Sequence, residues 1–473
     1  MAEPSNKGGY NLRKRRKTCA VVDRISGMPD EIVVSILSFL PLKEAQATCI
    51  LSRRWHYVWA SLMTLNFDTK KRLSTLKGLK PKERDQGLIK RYAKWVNSVV
   101  EQHRAPCIDQ FRVSFYLDKS FSTSIDKWVE FALKKGVQML ELNLLEYVYY
   151  CKIKPGYPFP QQLLGLNREG AESAWKHLCR DGPSHQPCVC VGLKSLRVLT
   201  LECVDISGDV LEYFLRTCPV LERVSVYGSS TLVYLRVVGP SIALKHLVIQ
   251  RCSNVVGIEI VDADVISFTY DGGEGIHLRL ENVPHLVEVS IYEHREYYSF
   301  LSIDVLFASL SSCVSQLEIL KMNNTILYYR ESYMVPMLPN LKLLGLSFKD
   351  DEALMQLASF LKSSPCVERL VIHLHYSISN RKKCHFKNKK AAKCSHADLK
   401  AVKLVGYDGS TREDEIVKYL TKTAINLEQI VIDPARNWLY RIPKRKDAMR
   451  REEQVRAHFR QLKVPSNIDF VCL

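Results

Sequence analysis

From residue 108 onward the chain repeats a six-residue pattern, apolar-x-x-apolar-x-apolar, with leucine favoured first. Clear copies begin at Leu193, Leu221, Leu244, Leu286, Leu317, Leu341, Val367, Leu399 and Leu427. Weaker ones begin at Ile108, Val137 and Val265. The intervals from Leu193 onward are 28, 23, 21, 21, 31, 24, 26, 32 and 28 residues, which marks a stacked repeat rather than chance alternation. Several copies share a lead-in, as in Cys218-Pro219-Val220, Val283-Pro284-His285 and Leu338-Pro339-Asn340.

The alternating half of each copy fits a strand with one buried face. Between the strands, the spacing predicts helices over residues 209–215, 304–310 and 352–361. Each unit then reads as strand, turn and helix. A single unit cannot bury its apolar face, so neighbours must stack. The predicted fold is an α/β solenoid of irregular leucine-rich repeats, with parallel strands on the concave face. A doubly wound sheet would need a glycine-rich phosphate loop. Gly272, Gly273 and Gly275 lack that spacing and read as a turn.

A different pattern precedes the repeats. Pro29 suits the first position of a helix, and Asp30 and Glu31 favour the positive end of its dipole. Ile32, Ile36, Leu37 and Leu40 recur at helical spacing until Pro41. A second helix is expected over residues 44–51. A third is expected after Ser52, with Trp55 and Trp59 on one face. About forty residues cannot bury a self-sufficient core, so this module must lean on a partner or on the rest of the chain.

The ordered run Asp23-Arg24-Ile25-Ser26, Met28-Pro29-Asp30-Glu31-Ile32, Ile36-Leu37-Ser38-Phe39-Leu40-Pro41, Lys43-Glu44-Ala45 and Leu51-Ser52-Arg53-Arg54-Trp55 resembles an F-box of the plant type. Met28 replaces the usual leucine, Gln46 a common apolar residue and Cys49 a common serine. Residues 394–434 resemble the FBD module of plant F-box proteins, carried by Leu399-Lys400, Val402, Leu404, Gly406-Tyr407, a helix over 413–421 and Asn426-Leu427-Glu428. Thr411 would cap that helix, with Asp414 three residues on.

The expected organisation is a basic tail (1–22), the F-box (23–65), a helical linker (66–107), the repeats (108–393), the FBD-like cap (394–434) and a basic C-terminal extension (435–473). The resemblance implies a non-catalytic subunit of a Skp–cullin–F-box ubiquitin ligase. Its F-box would hold the Skp-family adaptor, and cullin through it, while the repeats hold a target protein. Met28, Pro29, Ile32, Ile36, Leu37, Leu40, Cys49, Leu51 and Trp55 are the implied contact face or its supporting core. Two alternatives share this architecture: a binding scaffold that delivers nothing for ubiquitination, and a hormone-type small-molecule receptor. For the last, Arg197, His246, Glu288, Lys321 and Arg369 are the charged positions among the strand residues.

Composition changes this picture little. The net charge is +18, which suggests nucleic acid until it is located. Residues 1–20, 381–393 and 441–463 carry +5, +7 and +6, so the rest is balanced and no nucleic-acid partner is expected. No apolar run reaches the length of a membrane span, so none is expected. The fifteen cysteines are scattered and read as reduced thiols acting as small hydrophobes, in the nucleus or cytoplasm. Arg13, Lys14, Arg15, Arg16 and Lys17 form a candidate nuclear import signal. His177, Cys179, His185, Cys188 and Cys190 cluster with pairs spaced too closely for a zinc finger. Cys384, His385, Cys394 and His396 are weaker still. No cofactor, metal or catalytic motif is expected.

Overall fold

The computed structural model describes residues 25, 27–68, 86–144, 156–165, 193–273, 276–293, 303–323, 335–348, 353–374, 395–407, 409, 411–434, 453–458, 465 and 467–473. Arg13 to Lys17, the 177–190 cluster and the basic run 381–393 lie outside them. The chain divides into two compact units, Met1–Leu62 and Met63–Leu473.

The first unit is helical. It comprises α1 (Asp30–Leu37), α2 (Leu42–Ala47) and α3 (Trp55–Val58), with 3-10 turns at Thr48–Ile50 and Trp59–Ser61. Pro29, expected at the first helical position, stands one residue before it. It caps α1, and its carbonyl accepts the Val33 N–H at 3.2 Å. The second helix starts two residues earlier than expected and tightens into the 3-10 turn before Leu51. Arg54 ties the unit together. Its guanidinium donates to Asp30 Oδ1 at 2.7 Å and to the Met28 carbonyl, linking the start of α3 to the start of α1.

The second unit opens with β1 (Thr64–Asn66), α4 (Gln86–Gln102), β2 (Gln110–Ser114), α5 (Ser122–Lys134) and β3 (Met139–Asn143). The short β4 (Tyr157–Pro158) is followed by β5 (Val198–Glu202), β6 (Val204–Asp205), α6 (Gly208–Thr217) and β7 (Arg223–Tyr227). Strands alone come next: β8 (Tyr234–Val238), β9 (His246–Cys252), β10 (Gly257–Val261), β11 (Ser267–Gly272), β12 (His277–Glu281) and β13 (Glu288–Glu293). Then come α7 (Ile303–Leu310), β14 (Ile319–Asn323), β15 (Leu343–Phe348), α8 (Ala353–Ser363), β16 (Arg369–Leu374), β17 (Ala401–Val405), α9 (Thr411–Thr423), β18 (Gln429–Asp433) and β19 (Asp469–Cys472). Fourteen of these strands form one sheet in chain order, every neighbouring pair parallel. This is the predicted solenoid class.

Each strand begins two residues after the opening residue of its hexamer, and the two apolar positions inside the strand are buried. Leu199, Leu201, Val224, Val226, Leu247 and Ile249 are examples. One copy is misplaced by the pattern. β5 begins at Val198, so the copy in register opens at Leu196 (LRVLTL), not Leu193. Both leucines are buried, which is why either fitted the period.

The repeat also starts before residue 108 and runs past 434. Leu62, Leu65 and Phe67 repeat the hexamer around β1, which pairs with β2. The helix expected as a linker, α4, is built into this first repeat. Tyr92 donates to the Phe67 carbonyl at 2.9 Å and stacks on Phe115 at 4.1 Å, and Trp128 of α5 donates to Asn97 at 2.7 Å. At the far end β17, α9 and β18 form the strand–helix–strand of the FBD-like unit, and β19 pairs with β18. Thr411, expected to cap α9, is instead the first residue of that helix. Asp414 accepts the Tyr407 hydroxyl at 2.6 Å and pairs with His458 at 3.1 Å, while Glu413 accepts the Gly409 N–H at 2.9 Å.

The three repeats between Leu221 and Leu286 depart from the expected strand–helix unit. Their return segments are β8, β10 and β12, which form a second parallel sheet. The reason is length. A ten-residue helix and a five-residue strand both cover about 15–17 Å. A repeat of 21–23 residues has no room for the helix, and the strand makes the same return with fewer residues. The edges of this small sheet are covered. Buried Glu212 of α6 accepts the Arg236 backbone N–H of β8 at 3.1 Å and grips its guanidinium at 3.2–3.3 Å. On the other side Ser312 donates to the Leu280 carbonyl of β12 at 2.6 Å. The approach of α6 to β8 is so close that a Cβ at Gly208 would stand 1.7 Å from the Tyr234 carbonyl oxygen, which only glycine permits.

Candidate functional site

The helical unit is apolar on two sides. On α1, Val33 and Leu37 are buried one turn apart, while Ile32 and Ile36 are exposed one turn apart. Leu37 is 1 % exposed and Trp55 is also buried, so both belong to the core. Pro29, Leu40 and Leu51 are exposed, and Met28 and Cys49 are half-buried. The candidate set thus separates into an outer group (Pro29, Ile32, Ile36, Leu40, Leu51) and an inner one (Leu37, Trp55), with Met28 and Cys49 between.

The two most open apolar side chains among the unit's described residues were not among the candidates. Phe39 is 87 % exposed and Ile50 is 85 % exposed. Phe39 stands three residues after Ile36, so helical spacing could have found it. Ile50 lies in the 3-10 turn, where no period points to it. Exposing this many large apolar groups in one small unit marks a surface for association.

On the long sheet, the charged strand positions pair locally instead of converging. Lys321 binds Glu288 of the neighbouring strand at 2.8 Å. Arg197 lies just before β5 and faces Glu222 at 3.6 Å. His246 Nδ1 is 2.8 Å from the Ser267 hydroxyl, and burial holds its imidazole below its ordinary range. Arg369 opens β16.

A different group does line up. At the carboxyl ends of five adjacent strands, Glu202, Tyr227, Gln250, Asp271 and Tyr292 occupy one transverse row by direct register. All five are half-buried. Burial holds the Glu202 carboxyl and both phenols above their ordinary ranges. Each member is the residue that follows its hexamer, so the repeat register held the signal; sequence reasoning missed the row because it weighed only positions inside the hexamers and opened the first of these five at Leu193 instead of Leu196.

The described cysteines Cys203, Cys218, Cys252 and Cys313 are buried and in no disulfide, and burial pushes the last three thiols up to about 12. They behave as small hydrophobes. Cys366, by contrast, is exposed. Of the second cysteine–histidine group only His396 is described, buried beside Tyr419. Among the described residues no group of three or more His, Cys, Asp or Glu is placed to hold a metal ion, and no helix is long and apolar enough to cross a membrane.

A short helical unit with an open apolar face, ahead of a long parallel repeat sheet, defines an F-box protein with leucine-rich repeats. The chain belongs to that plant F-box/leucine-rich-repeat family: residues 25–66 match the F-box domain, and residues 99–462 match the family described as At1g61320/AtMIF1, LRR domain. Among its relatives in Arabidopsis thaliana, F-box/LRR-repeat protein At3g26922 is 28% identical over 57% of this chain and 82% of its own length. FBD-associated F-box protein At4g10400 is 29% identical over 57% of this chain and 61% of its own. Putative F-box/LRR-repeat protein At3g28410 is 30% identical over 48% of this chain and 43% of its own. F-box domains in general bind Skp-family adaptors, and F-box/leucine-rich-repeat proteins in general are non-catalytic adaptors that recognise substrates for SCF ubiquitin ligases.

Proposed function

We propose that this chain is the substrate-recognition subunit of a Skp–cullin–F-box ubiquitin ligase. The F-box holds the Skp-family adaptor, the adaptor brings cullin, and the repeat sheet holds a target protein. The observation that carries this reading is the open apolar surface of the first unit: Ile32, Ile36, Phe39, Leu40, Ile50 and Leu51. Burying such side chains contributes about 1.5–3 kcal/mol each, enough to drive association. The chain itself performs no chemistry. It raises the local concentration of the target near the conjugating enzyme, so catalysis is by proximity.

Exposed residues make the better test, because a charge at Leu37 would disrupt the core. Ile36→Asp with Leu40→Asp is expected to reduce co-purification with the Skp-family adaptor at least tenfold, with an unchanged far-ultraviolet circular dichroism spectrum. Retained adaptor binding would sink the assignment. Ubiquitination of a captured target then separates a ligase receptor from a scaffold that delivers nothing.

A further inference from the structure

The row at the carboxyl ends of the strands carries one arrangement twice. Glu202 on β5 stands beside Tyr227 on β7, and Asp271 on β11 stands beside Tyr292 on β13. Gln250 on β9 lies between the two pairs. The row ends the strand on β5 and β7, and on β9 a bulge follows it. The residues after Glu202, Tyr227 and Gln250 are Cys203, Gly228 and Arg251, with φ of 59°, 72° and 55°. These three left-handed residues stand at the same level, and β9 runs on past Arg251 to Cys252 opposite Gly272, so the row lies within two residues of the carboxyl ends of its strands.

The charge of this row is opposite to that of the chain. The protein carries +18, while the row holds two carboxylates and no cation. The nearest opposing charges lie off the row. Asn143 donates to Glu202, Arg112 acts on it from the neighbouring row, and Arg251 Nε is 3.7 Å from Asp271 Oδ2. Arg112 is shared with Asp68 at 3.8 Å and Glu141 at 3.4 Å, so one guanidinium faces three carboxylates. The phenols add faces on which a cation can rest.

Spacing then narrows the ligand. The two carboxylates are three strands apart, about 14 Å at about 4.8 Å per strand. An extended peptide crossing the strands covers about 13 Å in four residues. We propose that this row docks an extended basic segment of the target, with two Lys or Arg side chains four residues apart. One sits against Glu202 and Tyr227 and the other against Asp271 and Tyr292. The inference rests on the receptor reading above for its biological setting, but not for its test. A nucleic acid is disfavoured, because the row would face phosphates with carboxylates.

The test uses the full chain and fluorescein-labelled twelve-residue Gly/Ser peptides carrying two lysines, read by fluorescence anisotropy. The peptide with lysines four apart is expected to bind more tightly than those with lysines two or six apart, and a two-glutamate peptide should not bind. Glu202→Gln and Asp271→Asn are each expected to weaken binding about tenfold, with thermal midpoints no lower than that of the parent. Absence of binding, or binding indifferent to spacing and to both substitutions, would overturn the proposal. Adaptor capture by the same samples keeps the two readings apart. Lost capture with intact peptide discrimination counts against the ligase receptor alone, and the reverse counts against this docking row alone.

Discussion

Burial holds the Glu202 carboxyl above its ordinary value of 4.5, with Glu141 pushing the same way and Arg112 and Asn143 opposing. An acid whose folded pKa is raised takes up its proton more readily when folded. Its contribution to stability is therefore present at low pH and lost as pH rises through the raised value. Glu202→Gln removes the buried charge and keeps an oxygen that can accept from Asn143. The variant is expected to unfold at higher urea than the parent at pH 7, and the gap is expected to close on acidification below 4.5. A gap that widens on acidification would show that the carboxylate is stabilised by its neighbours after all. The same scale explains the sorting of the F-box candidates. Ile36 and Leu37 are adjacent and equally apolar, so hydrophobicity selected both. Only their angular position on α1 sends one outward and the other into the core.

At the scale of elements, the repeat period placed strands and helices well, because each strand's alternation is local. It could not place the second sheet. The segments of β8, β10 and β12 alternate like any half-buried strand, but nothing local says that they replace helices. Interval length was the available signal: 21–23 residues where helix-bearing repeats have more. The small sheet then has edges to protect, and Glu212 covers one by accepting a backbone N–H that no strand can reach. Glu212→Ala is expected to lower stability by about 2 kcal/mol in urea unfolding, the loss of charged hydrogen bonds from a buried carboxylate to the part-buried Arg236 N–H and guanidinium. Glu212→Gln should cost less, because the amide oxygen still accepts from Arg236. Equal losses in the two variants would mean that α6 packing, not the hydrogen bond, is what matters.

Across the whole molecule, charge and fold are segregated. Outside three basic stretches the chain has equal numbers of acidic and basic residues. Replacing 381–393 with a Gly/Ser linker of equal length removes seven basic residues. Elution from a heparin column is expected at clearly lower salt, with an unchanged thermal midpoint. A shifted midpoint would place that stretch among the parts that stabilise the repeats. The sequence by itself determined the F-box, the parallel repeat and the FBD-like end, because each is written in short-range spacing that one segment can display. The tertiary structure decided which apolar side chains remain open on the F-box. It decided that Leu196, not Leu193, opens its repeat, and that β1, α4 and β19 belong to the sheet series. It also assembled the row from Glu202 to Tyr292. Burial and strand partners depend on packing between segments far apart in the chain, which no local pattern records; the members of the row could be read as the residues after each hexamer, but not their partial burial or their counter-charges.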